Sequence, residues 1–263
     1  MGGRGSAYQK LVEKSEKLKQ FQGELYDGQR VNPDDFINDV ETEIQNDMFH
    51  LLKEVGISTR KSTDNVNRQS LSDNQKQAHF IATEFDYILN ETKIDIQLGS
   101  ENIKNKDTSG YTAPWYKNGL QLRIVLDNKR LNDPNNAKKE ISKAVRETWH
   151  VPINIRENSD KYTITHEMGH AIEECLFAKL RKNNSHNPEY NDSRKLAIKI
   201  RNEVENILKN NYAKYGENAT MNISEYSRKN SKEWFAETFS NLVLADEPMP
   251  VSLALNEYLE RFK

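Results

Sequence analysis

The chain has 263 residues, enough for one large domain or two small ones. Charged residues make up 30% and hydrophobic residues 35%, so the core is modest and much of the chain is solvated surface. A formal net charge of -2 gives no sign of nucleic acid or an anionic membrane as main partner, and neither is expected. No apolar run reaches the roughly 20 residues that span a bilayer, and a single cysteine, Cys175, excludes an intramolecular disulfide.

Residues 8–21 read as a charged helix with Leu11, Val12, Leu18 and Phe21 as a weak apolar stripe. Residues 33–55 read as a second helix. Asn32, Pro33, Asp34 and Asp35 supply its start, Phe36, Val40, Ile44, Met48, Leu51 and Leu52 recur on one face, and Gly56 ends it. Residues 57–72 are polar and read as a linker. The reading therefore divides the chain into a helical N-terminal region, 1–70, suited to docking, and a domain over 71–263.

That second region opens with a helix from about Ser72 to Asn90. Ile94, Ile96 and Leu98 then alternate with polar residues, as in a strand. Residues 111–116 are aromatic-rich. Leu120, Leu122, Ile124 and Leu126 give the clearest strand of the chain, and 135–149 reads as a helix followed by a short strand over 151–155. Polar residues fill 181–194. Helices are expected over 192–210, 231–245 (capped by Ser231) and 250–262.

The chemistry concentrates in YTITHEMGHAIEECLFAKL, residues 162–180, which contains His166-Glu167-Met168-Gly169-His170. In an α-helix positions i and i+4 share a face, so His166 and His170 can present ring nitrogens to one ion. Glu167 lies beside them, within reach of the attacking water. Zinc favours such ligands and keeps one position open at catalytic sites. Gly169 costs about 1 kcal/mol against alanine inside a helix, which makes sense where another backbone approaches closely. A third ligand is needed. His50, His79, His150 and His186 fall in helices, at a helix end or in a polar loop, and read as structural or solvated. Glu233 and Glu237 lie one turn apart among Trp234, Phe235 and Phe239, where carboxylates are costly unless paired or metal-bound.

The run Tyr226-Ser227-Arg228-Lys229-Asn230-Ser231-Lys232-Glu233-Trp234-Phe235-Ala236-Glu237, taken with the HExxH helix, resembles the gluzincin zinc metallopeptidases. Among them it is most similar to the catalytic domain of anthrax lethal factor and its relatives. The likeness covers the C-terminal part of the chain and says nothing of residues 1–90. It implies one zinc ion held by His166, His170 and Glu233, with Glu167 as general base and Tyr226 as hydrogen-bond donor to the oxyanion. Glu237 would orient a ligating histidine, His166 first. The strand at 120–126 would be the sheet edge along which an extended peptide pairs. The 62 residues from 171 to 232 are long for this family, so substrate preference does not transfer.

These readings combine into an α+β chain: a helical N-terminal region before a zincin-like domain with a small mixed sheet over the active-site helix. The expected function is zinc-dependent endopeptidase, hydrolysing peptide bonds with a zinc-activated water. Its partners would be a peptide or protein substrate and a protein bound through the N-terminal helices. The glycine-rich start and the lack of an apolar leader look like proteins of bacterial prophages and mobile elements, which implies the bacterial cytoplasm or a phage particle. Two alternatives stay open: a non-catalytic zinc-binding structural or interaction protein of such an element, and a toxin acting on one host protein.

Overall fold

The computed structural model describes residues 46–61, 67–90, 92–100, 109–116, 119–127, 131, 133–155, 158–216 and 219–263. The helix expected over 8–21, and most of that over 33–55, lies outside the described residues. The remaining turns of the second helix, 46–54, bury Met48, Leu51 and Leu52 in the core before Gly56 ends the helix at φ +79°. A side chain is strained in that left-handed conformation.

Residues that read as a linker form a strand instead. β1 (Ile57–Lys61) pairs in parallel with β2 (Lys93–Ser100), Ile57 opposite Ile94. Only Ile57 in this strand is strongly apolar, so its pattern alone carries little signal. β2 pairs in parallel with β4 (Leu120–Asp127), and β4 pairs antiparallel with β3 (Gly110–Tyr116). The sheet order is β1-β2-β4-β3. Ile94, Ile96 and Leu98 of β2 and Leu122, Ile124 and Leu126 of β4 are buried in the core, as expected of central strands with one face against helices. The strand at 120–126 is therefore interior. Its antiparallel neighbour β3 is the edge strand on that side, as β1 is on the other, and the sequence GYTAPWY hides its character because proline and alanine interrupt the alternation.

Helix α1 (Arg68–Glu84) and the single turn α2 (Asp86–Leu89) lead into β2. α3 (Pro134–Arg146) follows β4. α4 (Tyr162–Asn183) is the central helix and packs against α1, β3 and β4. α5 (Ser193–Asn210), capped by Asp192, and the turn α6 (Tyr212–Tyr215) lie in the stretch between the two candidate ligand segments. α7 (Ser231–Leu244) lies on α4, and α8 (Pro250–Leu259) closes over α7 and α5. Trp234, Phe235 and Phe239 of α7 and Phe177 of α4 are fully buried, which makes the α4–α7 contact the heart of the helical layer. The architecture is α+β, a four-stranded mixed sheet with helices.

The segment 151–155 is not a strand. Two of its backbone groups pair with side chains of α7 instead: Val151 N–H donates to Glu237 Oε2, and Asn241 Nδ2 donates to Pro152 C=O at 2.8 Å. With these partners it needs no ladder.

A candidate metal centre between two helices

Gly169 sets the spacing of the site. A Cβ built there would lie 3.1 Å from the Ala236 Cα and 3.2 Å from the Phe239 ring, so the bare glycine lets α4 and α7 approach closely. Across that contact, His166 Nε2 lies 3.2 Å and His170 Nε2 3.4 Å from Glu233 Oε2. Asn230, not Ser231, caps α7. Its side chain accepts from the N–H groups of Lys232 and Glu233, which fixes the first turn that carries Glu233.

The three side chains fit a small tetrahedral cation. Two ligand atoms each about 2.1 Å from such an ion lie about 3.4 Å apart, close to the spacings seen here. One ligand atom from each residue falls within 4.8 Å of the others, so His166, His170 and Glu233 could hold a metal ion. Their ionisation suits the task. Burial holds the His166 imidazole down to about 4, so it is neutral and free to ligate. Burial alone would raise Glu233, but hydrogen bonds from His166 and His170 pull its carboxyl well below the usual range. Burial opposes charge on His170 too, and there Glu233 and Glu167 outweigh it and raise the imidazole.

Glu167 sits under the edge strand. Thr112 Oγ1 of β3 lies 2.7 Å from Glu167 Oε2 and 2.9 Å from Glu167 C=O. A Cβ on Gly110 would come within 3.3 Å of Glu167 Cγ, so β3 presses directly on this side chain. Burial raises the Glu167 carboxyl, and the His170 ring and the Thr112 hydroxyl partly offset that.

Glu237 is fully buried and holds the far side of His166. Its Oε1 lies 3.3 Å from His166 Nδ1, though off the line of a hydrogen bond. Tyr162 donates its hydroxyl to Oε1, and Ser224 Oγ and Val151 N–H donate to Oε2 at 3.0 Å each. His150, read from sequence as structural or solvated, belongs to this network. Its Nδ1 is 3.3 Å from Glu237 Oε1 and 2.8 Å from the Tyr162 hydroxyl. With Tyr162 already donating to Glu237, His150 Nδ1 must carry the proton. No sequence spacing signals this contact, because 87 positions separate His150 from Glu237.

Tyr226 lies over the ligands, its ring 5.8 Å from His166, 5.5 Å edge-on from His150 and 5.5 Å from the exposed Trp149. Its backbone is fixed by N–H bonds from Glu225 to Thr148 C=O (2.9 Å) and from Tyr226 to Trp149 C=O (3.0 Å). Thr148 has φ +58°, a conformation that costs a β-branched residue about 1–3 kcal/mol. The strain lies in the turn that positions the tyrosine. Burial, then the charges of Glu233 and Glu167, push the Tyr226 phenol well above its ordinary value, so it stays a donor.

Two further buried groups flank the site. Glu173, one turn past His170, has no hydrogen-bond partner for either oxygen among the described residues, and burial pushes its carboxyl up to about 8. Cys175 contacts Thr92 Oγ1 at 3.1 Å, and burial pushes its thiol up to about 12, which leaves it unreactive. His50 and His186 are exposed and His79 is buried in α1; none of the three joins the cluster. Among the described residues no helix is long and apolar enough to cross a membrane.

No known protein-family model matches the chain, and a search of curated proteins found no match either.

Proposed function

We propose that this chain is a zinc-dependent endopeptidase with a zincin-like domain. The supporting observation is the trio His166, His170 and Glu233 at tetrahedral spacing, with a buried carboxylate, Glu167, beside it. His166, His170 and Glu233 would hold the ion. Bound zinc would lower the pKa of water and polarise the scissile carbonyl.

The remaining chemistry belongs to the chain. Glu167, raised by burial, takes a proton from the attacking water and returns it to the leaving amine. The Thr112 hydroxyl holds it in line for both transfers. Tyr226, kept protonated, donates to the developing oxyanion. Glu237 lies behind the His166 ring, where its carboxylate would accept from Nδ1 once that nitrogen carries the proton, and Tyr162 and His150 hold Glu237 in place. The substrate would be an extended peptide added to the free edge at β3, whose residue Thr112 touches the base.

The test is Glu167→Gln. The amide keeps shape and burial but cannot accept the proton. Zinc-loaded Glu167→Gln should bind as much metal as wild type and cleave a random peptide library about 10²- to 10⁴-fold more slowly. Equal cleavage by the two proteins would refute the assignment of Glu167 as the base. A non-catalytic zinc protein would show no cleavage in either.

A further inference from the structure

Among the described residues no strand pairs the outer side of β3, and that edge is not uniform. Asp127 N–H donates to Ser109 C=O at 2.8 Å, which makes Ser109 and Asp127 a hydrogen-bonded pair of the antiparallel ladder. Such pairs alternate. With Gly110 opposite Leu126 and Tyr116 opposite Leu120, residues 111, 113 and 115 turn their main-chain groups toward β4. Gly110, Thr112, Pro114 and Tyr116 turn theirs outward. Pro114 has no N–H, and this phase is the one in which its absence breaks no bond within the sheet. The outward edge thus offers carbonyls at all four positions but donors only at 110, 112 and 116.

The same four residues face α4. Thr112 touches Glu167, and the Tyr116 hydroxyl accepts from Arg181 Nη1 of α4 at 2.8 Å. Arg181 also donates to Tyr190 C=O at 3.1 Å and to Ser193 Oγ at 2.6 Å. The far end of the edge is therefore tied through one guanidinium to the segment that follows α4.

Resting on the peptidase reading, we infer that the cleft is short on the side upstream of the scissile bond, and that Pro114 and the Arg181–Tyr116 tie set its limit. A peptide antiparallel to β3 runs from the Tyr116 end toward the Gly110 end. Residues beside Thr112 flank the reacting bond, so the residue opposite Pro114 lies two positions upstream. Its N–H can donate to Pro114 C=O, but its carbonyl meets no donor. The next pairing position, opposite Tyr116, meets the Arg181 tie. Main-chain recognition is two-sided toward Gly110 and one-sided toward Pro114. The preferred substrates are peptides cut near their N-termini, with recognition drawn from residues downstream of the cut.

The test uses the zinc-loaded full chain and a random peptide library. One cleaved sequence, identified by mass spectrometry, is rebuilt as quenched fluorescent peptides with two to six residues upstream of the cut, and as a second set extended downstream. Wild type should gain less than about twofold in kcat/KM from upstream residues beyond the second, and several-fold from downstream ones. Pro114→Ala restores one donor, worth about fivefold for a net hydrogen bond, and should raise kcat/KM by about that factor for every peptide that reaches position 114. Tyr116→Phe, which removes only the hydroxyl of the tie, should let longer upstream segments gain. Steady gains with upstream length in wild type, or no response to Pro114→Ala, would overturn the inference and leave Pro114 as a guard against edge pairing. If no library member is cut, the peptidase reading itself falls and takes the inference with it.

Discussion

Glu173 shows how one residue can oppose its own fold. Both its oxygens are buried and find no hydrogen-bond partner among the described residues, and its carboxyl is raised from 4.5 to about 8 by desolvation. In the metal-free protein the native state holds a proton that the unfolded chain releases across that window. More protons bound in the native state means that stability falls as pH rises. From about 4.5 to 8 this group makes stability fall as pH rises, and its stabilising effect is complete only below 4.5. Glu173→Gln should therefore flatten the pH dependence of urea unfolding over this range and leave the variant the more stable protein at pH 8. An unchanged slope would show that Glu173 ionises freely. At this scale the sequence was informative about types. His166, Glu167, His170, Glu233, Tyr226 and Glu237 all fall at one cluster: helical spacing put His166 with His170 and Glu233 with Glu237 on shared faces, and packing between the elements brought those faces together. It was uninformative about Glu173 and His150, since neither burial nor a partner 87 positions away leaves a local pattern.

The contact between α4 and α7 is the device on which the candidate centre depends. Each helix brings its own candidate ligands, and Gly169 lets them meet. Gly169→Ala gains about 1 kcal/mol in helix propensity. Against that stands overpacking of about 1–3 kcal/mol, because the new methyl meets the Ala236 backbone at 3.1 Å as well as the Phe239 ring. A backbone atom in the buried middle of α7, packed between α4 and α8, cannot swing aside. The variant should melt at a lower temperature and bind zinc more weakly, through displacement of Glu233 from the two histidines. A variant as stable as wild type with full zinc affinity would mean that the helices have room to spare.

Element legibility followed the strength of each pattern. α4, α5 and α7 carry helical patterns over three turns or more, α5 with one buried face and α4 and α7 buried on most sides, and they stand where the sequence put them, the cap of α7 shifting from Ser231 to Asn230. The weak patterns misled. β1 has one strongly apolar residue, β3 contains a proline and two small residues, and 151–155 has the alternation of a strand but finds its partners in Glu237 and Asn241. Which of two strands lies at a sheet edge is a long-range fact. Periodicity cannot carry it, and the edge passed from 120–126 to β3.

Across the whole molecule, three pieces meet at one place. The sheet edge brings Thr112 onto Glu167, the central helix brings the two histidines, and α7 brings Glu233 and its companion Glu237. The segment between the helices packs as ordered structure: α5 lies against α7 and α8, and Arg181 ties Tyr190 and Ser193 to the end of β3. The α+β class was legible from the alternation at 94–98 and 120–126 between helical runs. The assembly of the site was legible only as a set of residue types, because it is built by packing between elements far apart in the chain. The account's central claim is that this set holds zinc. The most direct measurement is metal content by mass spectrometry, on protein purified without chelator or a metal-affinity tag, with Glu233→Ala alongside. The account predicts about one zinc per chain in wild type and loss of it in the variant. No zinc in wild type, even after reconstitution, or a fully loaded Glu233→Ala, would contradict it.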